Sequence, residues 1–166
     1  MTPTLIFKII IVILVLNYCI DRILDYLNAT RRSSKLPDEL DGIYDADKYQ
    51  KSQEYDSATS RFSFITSTYG IVLMLLMLFF NGFAYVDQIA AGFSENPILR
   101  ALIFFGILMF ASDILSTPFS IYRTFVIEEK FGFNKTTPKT YILDKLKGWL
   151  LSAIIGGGLL SLIIWF

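Results

Sequence analysis

No histidine occurs anywhere in the 166 residues, and the one cysteine is Cys19. The first absence removes the paired imidazoles, at i and i+4 on a helix, that hold most catalytic zinc ions. The second removes any disulfide within the chain and any thiolate metal cluster. Cys19 lies in an apolar run and reads as a small hydrophobe. There is no glycine-rich phosphate loop, no serine nucleophile elbow and no basic–aromatic pattern of the kind that binds nucleic acid. Charge is also missing as a net quantity. Fifteen Lys and Arg balance fifteen Asp and Glu, which argues for neither a nucleic-acid nor an acidic partner.

What the chain has instead is apolar length. Hydrophobic residues make up 54% and the mean hydropathy is +0.52, against roughly 45–50% apolar, glycine included, for an ordinary soluble domain. The expected fold is all-α and integral to a membrane. About four transmembrane helices are expected, at 4–27, 62–83, 98–117 and 148–166, with loops at 28–61 and 118–147. The first run is too long for a signal peptide and lacks a small-residue cleavage site. Asn17, Asp21 and Arg22 then sit near its inner end, either snorkelling to the interface or forming a polar stripe that faces a cavity.

From Asp45 no Gly or Pro occurs until Gly70, and Tyr55, Ala58, Phe62, Ile65 and Tyr69 recur at three- and four-residue steps. One long helix from about Asp45 to Phe83 follows, its first half standing out of the membrane. Ala84–Asn96 reads as a short connection, and Asn96-Pro97 as a helix start. Asp113 is the one acidic residue of the third span. It either reaches the interface or occupies a buried site paired with Arg22, Arg61 or Arg123. In the fourth span, Gly156-Gly157-Gly158 either permits close helix approach or kinks the helix.

The most specific stretch is Pro118–Trp149. Phe119, Tyr122, Val126 and Ile127 suit an amphipathic helix ended by Gly132 in a left-handed cap. Thr137-Pro138 restarts a helix, with a hydroxyl N-cap and proline at its first position. Ile142, Leu143, Leu146, Trp149 and Leu150 form its apolar face. The result is an amphipathic helical hairpin. Glu128 and Glu129 are adjacent, so their side chains point about 100° apart and do not converge on one reacting atom. The simplest reading of them is a solvated helix face.

The segment TFVIEEKFGFNKTTP resembles the loop before the fourth membrane helix of the type 1 CAAX prenyl protease family, membrane-embedded zinc metalloproteases. Leu36-Pro37-Asp38-Glu39-Leu40, Tyr49-Gln50-Lys51-Ser52 and Tyr55 resemble that family's first cytosolic loop. Phe131 departs from the pattern, since many members carry His there, and the zinc-binding HExxH motif is absent. The resemblance implies the amino-terminal membrane part of a zinc metalloendopeptidase. Its helices would shape a water-filled intramembrane chamber and present a peptide or prenylated protein substrate. Zinc and the catalytic motif would come from a later, carboxyl-terminal segment. Asp113, Glu128, Glu129 and Asn134 are the candidates for lining the chamber or its mouth, none of them catalytic or metal-ligating. This chain alone is expected neither to bind zinc tightly nor to hydrolyse peptides.

Lysine and arginine distribution sets an expected orientation. Six lie in the loop before the second span, none in 84–96, and six in the loop before the fourth. The positive-inside rule puts loops 28–61 and 118–147 in the cytosol and the amino terminus outside, lumenal or periplasmic. The sequons at Asn28 and Asn134 then face the cytosol and go unused. The chain stops at Trp165-Phe166 with no polar tail, which suggests a longer native chain and a fragment that self-associates in detergent. The alternatives are a stand-alone four-helix membrane scaffold with no chemistry and, third, a small transporter using Asp113.

Overall fold

The computed structural model describes residues 2–33, 36 and 45–166. Most of the 36–40 motif therefore lies outside the described residues. Every regular element described is helical: α1 Pro3–Thr30, α2 Ala46–Phe79, α3 Gly82–Phe93, α4 Pro97–Tyr122, α5 Glu129–Phe131, α6 Pro138–Leu151 and α7 Gly157–Trp165. π-helical turns at Arg123–Glu128 and Ser152–Gly156 join α4 to α5 and α6 to α7. The continuous helical runs are thus Pro97–Phe131 and Pro138–Trp165. With α1 and α2 they make four helices long and apolar enough to cross a membrane.

Two compact units result: Met1–Leu76 with Phe125–Gly132, and Met77–Thr124 with Phe133–Phe166. The buried hydrophobic residues among those described are few, Ile127 and Phe131 in the first unit and Val86 and Ala90 in the second. Large apolar side chains are otherwise mostly outward-facing, as on Ile13, Ile23, Phe64, Leu150 and Ile163. In water such a surface would be untenable at about 25 cal/mol per Å² of apolar area. In hydrocarbon it carries no such penalty, because the surrounding lipid is equally apolar.

Local signals account for most helix ends. The Asp45 carboxylate accepts from the backbone amides of Asp47 and Lys48 at 2.9 and 3.3 Å, capping α2. Asn96 caps α4 by accepting from Ile98 and Leu99, with Pro97 at the first position. Thr137 does the same for α6 through Thr140, ahead of Pro138.

Three expectations need correction. The long second helix stops at Phe79, because Asn81 adopts φ 55°, the left-handed conformation that Asn tolerates better than most residues. The chain then re-enters a helix, α3, through much of the segment expected to be a connection. A side chain at Gly82 would put its Cβ 3.2 Å from the Met77 backbone, so the tight break favours glycine there. Third, the helix of the third span does not end at Thr117 but continues through Pro118. Pro118 sits inside α4, where hydroxyls from Ser116 and Thr117 donate to the Asp113 carbonyl at 3.0 and 2.6 Å. The carbonyl that Pro118 leaves without an amide donor is that of Ile114, one residue further along.

Gly132 takes φ 78° and closes α5, its amide donating to the Glu129 carbonyl at 3.0 Å. An added Cβ would meet nothing nearer than the Lys51 Nζ at 3.8 Å. Any penalty for substitution is therefore conformational. Gly132→Val is expected to lower stability by about 1–2 kcal/mol, while Gly132→Asn loses much less. Equal thermal unfolding of the two variants in detergent would contradict this account.

Candidate functional site

The polar centre of the second unit is built by α4 and α6. Asp113 and Thr117 lie one turn apart on α4, and Tyr141, Lys145 and Trp149 lie at successive four-residue steps on α6. Residues three and four apart share a helix face, so each helix presents a short polar ladder. Lys145 Nζ donates to Asp113 Oδ1 at 3.0 Å and lies 2.9 Å from Oδ2, and it donates to Thr117 Oγ1 at 2.7 Å. Trp149 Nε1 donates to Asp113 Oδ2 at 3.0 Å. The indole packs edge-on to Phe110, centroids 5.0 Å apart, and Lys145 Nζ lies 5.9 Å from the Tyr141 ring centre.

Asp113 therefore has a partner, but not an arginine as expected. Arg22 and Arg61 belong to the first unit, where Arg22 pairs with Asp25 at 2.9 Å. The cation beside Asp113 is Lys145, half-buried like its partner, with side-chain exposures of 20% and 31%. Each Asp113 oxygen already receives a charge-assisted or indole hydrogen bond. A carboxylate so engaged clamps the two helices together.

The sequence pattern puts Trp149 on the apolar face of this helix. The pairing was missed because it links residues 32 and 36 positions apart. The available signal was the matching four-residue step, Asp113 to Thr117 and Lys145 to Trp149.

The other candidates fall elsewhere. Glu128 closes the first π turn and is half-buried, and Glu129 opens α5 and is exposed. Both belong to the first unit, so they share no unit with Asp113. Asn134 belongs to the second unit and folds its own loop, its Oδ1 accepting from the Thr136 amide at 2.7 Å. Phe131 is buried and meets Tyr55 edge-on at 5.4 Å. Two stretches singled out in the sequence are thus in direct contact. Elsewhere in the second unit, Arg100 Nε donates to Asp87 Oδ1 at 2.9 Å. That hydrogen bond, with the charge behind it, holds the Asp87 carboxyl below its ordinary pKa.

The family described as CAAX prenyl protease N-terminal, five membrane helices, matches residues 25–166. The chain belongs to this family. The CAAX prenyl protease 1 homolog of Oryza sativa subsp. japonica is 38% identical over 136 residues, covering 78% of this chain and 32% of its own length. The Arabidopsis thaliana homolog is 33% identical over 159 residues, covering 91% and 38%. The crystal structure of S. mikatae Ste24p superposes with a TM-score of 0.84 at 30% identity, covering 98% of this chain and 39% of that one. The chain thus spans about a third of the length of the curated CAAX prenyl protease relatives it matches. The all-helical membrane fold expected from the sequence is the fold these relatives share, and the protein is integral to a membrane.

The family's description counts five membrane helices, against four of sufficient length and apolarity among the described residues here. At 12 residues α3 is too short to cross. Among the described residues no group of three or more His, Cys, Asp or Glu could hold a metal ion. With no histidine in the whole sequence, the donors present do not fit a zinc site of the usual His-based kind.

Proposed function

We propose that this chain is the amino-terminal membrane part of a CAAX-prenyl-protease-type zinc metalloendopeptidase. Its helices shape the intramembrane chamber and the route of substrate entry, and Asp113, Glu128, Glu129 and Asn134 lie at the chamber or its mouth. The observation that carries this reading is the extent of the match. Nearly all of this chain aligns with relatives about two and a half times as long, so it corresponds to one part of a larger enzyme.

The zinc donors and the water-activating base belong to the portion of the relatives that this chain does not span. No step of hydrolysis is assigned to the residues described here. Substrates are the prenylated carboxyl termini that the relatives' names imply, or other membrane-delivered peptides. The orientation follows the charge count, with the amino terminus lumenal or periplasmic and loops 28–61 and 118–147 cytosolic.

A chimera tests the reading. Residues 25–166 replace the matching segment of the rice homolog, and release of the terminal tripeptide from a farnesylated CAAX peptide is followed by mass spectrometry. The chimera is expected to cleave, and the 166-residue chain alone to give no product. A folded, zinc-loaded chimera without activity would remove the proposal, as would cleavage by the chain alone.

A further inference from the structure

The first unit contains a cavity that the protease reading does not use. It opens between α1 and α2, with a volume of about 630 Å³. Arg22 and Arg32 enter it from the α1 side, and Ser57, Ser60, Arg61 and Phe64 from α2. On each helix the lining positions recur at three- and four-residue steps, so two complementary faces enclose it.

Arg22 is the informative residue. Its guanidinium lies 5.4 Å from the Tyr18 ring centre and 5.6 Å from that of Phe64. Nη2 pairs with Asp25. Nε and Nη1 are buried and have no acceptor among the described residues. A guanidinium carries five donors and a permanent charge, and a buried charged donor without an acceptor costs more than the roughly 1–3 kcal/mol of a neutral one. In a native protein that cost is normally met by an acceptor in the adjoining space.

The surroundings select an anion. Three arginines line the cavity against two carboxylates, Asp25 and Glu54. Asp25 is engaged by Arg22, and Glu54 accepts from Gln50 Nε2 at 3.0 Å. Arg32 is braced by donating to Ser60 Oγ. Planar, multidentate donors of this kind match the oxygens of a phosphate.

Depth along α1 bears on the source. Arg22 follows Pro3 by 19 residues, about 29 Å of helix, which is roughly one hydrocarbon thickness. The cavity then sits at headgroup level. Exposed Leu16 and Ile20 precede Arg22 on the same helix, at the depth where acyl chains would lie.

We propose that this cavity binds a phosphate-bearing anion, either the headgroup of an anionic phospholipid or free phosphate, through Arg22, Arg32 and Arg61. The test titrates the purified 166-residue chain in dodecyl maltoside by microscale thermophoresis. The probes are dioctanoyl phosphatidic acid, dioctanoyl phosphatidylcholine and inorganic phosphate. Phosphatidic acid is expected to bind, with Arg22→Gln weakening it about tenfold or more, the loss of one charge-assisted contact. Ser57→Trp, which fills the cavity and leaves every arginine in place, is expected to weaken it similarly. Arg31→Gln removes the same charge outside the cavity and is expected to change little.

Inorganic phosphate binding as tightly as phosphatidic acid supports the site with a soluble source. Phosphatidic acid binding alone supports the lipid source. Equal binding of phosphatidic acid and phosphatidylcholine, binding indifferent to both Arg22→Gln and Ser57→Trp, or no binding of either anion at millimolar concentration overturns the proposal.

Discussion

Replacing Asp113 with leucine is expected to destabilise the protein by about 2–3 kcal/mol, and replacing Lys145 with methionine by a similar amount. Removing one member of a fully buried ion pair costs about 3–5 kcal/mol, because the remaining charge is stranded. The lower figure reflects the partial exposure of both side chains. Asp113→Leu strands the Lys145 ammonium and also deprives the Trp149 indole of its acceptor. Asp113→Asn keeps an acceptor for the indole and loses only the charge, so its cost is expected to be smaller. The double variant Asp113→Leu with Lys145→Met is expected to recover most of the loss, since an apolar pair replaces an ion pair with little penalty. Thermal unfolding in detergent measures all four. Additive losses in the double variant would mean that the two residues act separately and that the clamp is not a unit.

At Gly157 the expected effect changes sign with the size of the substituent. An added Cβ would lie 3.6 Å from the Leu102 Cδ2 of α4, an ordinary contact. Gly157→Ala is therefore expected to be neutral or to stabilise the helix by up to about 1 kcal/mol, since alanine costs less helical entropy than glycine. Gly157→Phe has no such room on the α4 side and is expected to lose about 1–3 kcal/mol through overpacking. The same unfolding measurement reads both. Equal loss for alanine and phenylalanine would mean that helix α7 requires glycine for its backbone and that closeness to α4 is irrelevant.

How much was readable in the sequence depends on the range of the cause. The Asn96-Pro97 and Thr137-Pro138 starts and the Gly132 stop were legible because a cap is decided within four residues. The apolar runs were legible because hydrocarbon thickness fixes their length. Helical continuity across Thr117 and Pro118 was not legible, because a proline within a membrane helix removes one amide donor without ending the helix. Asn81 was overlooked because its left-handed conformation interrupts an apolar run that has no other sign of ending. The partner of Asp113 was only hinted at by the matching four-residue steps, since helix pairing across more than thirty residues depends on packing that periodicity alone does not specify. Of the four candidate site residues, the sequence marked Asp113 as exceptional, and the structure supplies its companions.

The π turn at Ser152–Gly156 alters how α6 and α7 address α4. Trp149 reaches Asp113, and Gly157 meets Leu102, so both look toward the same helix. Eight residues of regular α-helix rotate through about 800°, which would leave these two positions ~80° out of phase. A π turn takes up one more residue for the same rotation, and the offset falls to roughly 20° in the opposite sense. The wide turn thus acts as a phase corrector, bringing a polar clamp and a glycine contact onto one side although their spacing is one residue out of step. Chain length in this stretch is consequently a steering variable. Adding or removing a single residue there changes which side chains face α4, even when composition and hydropathy stay the same.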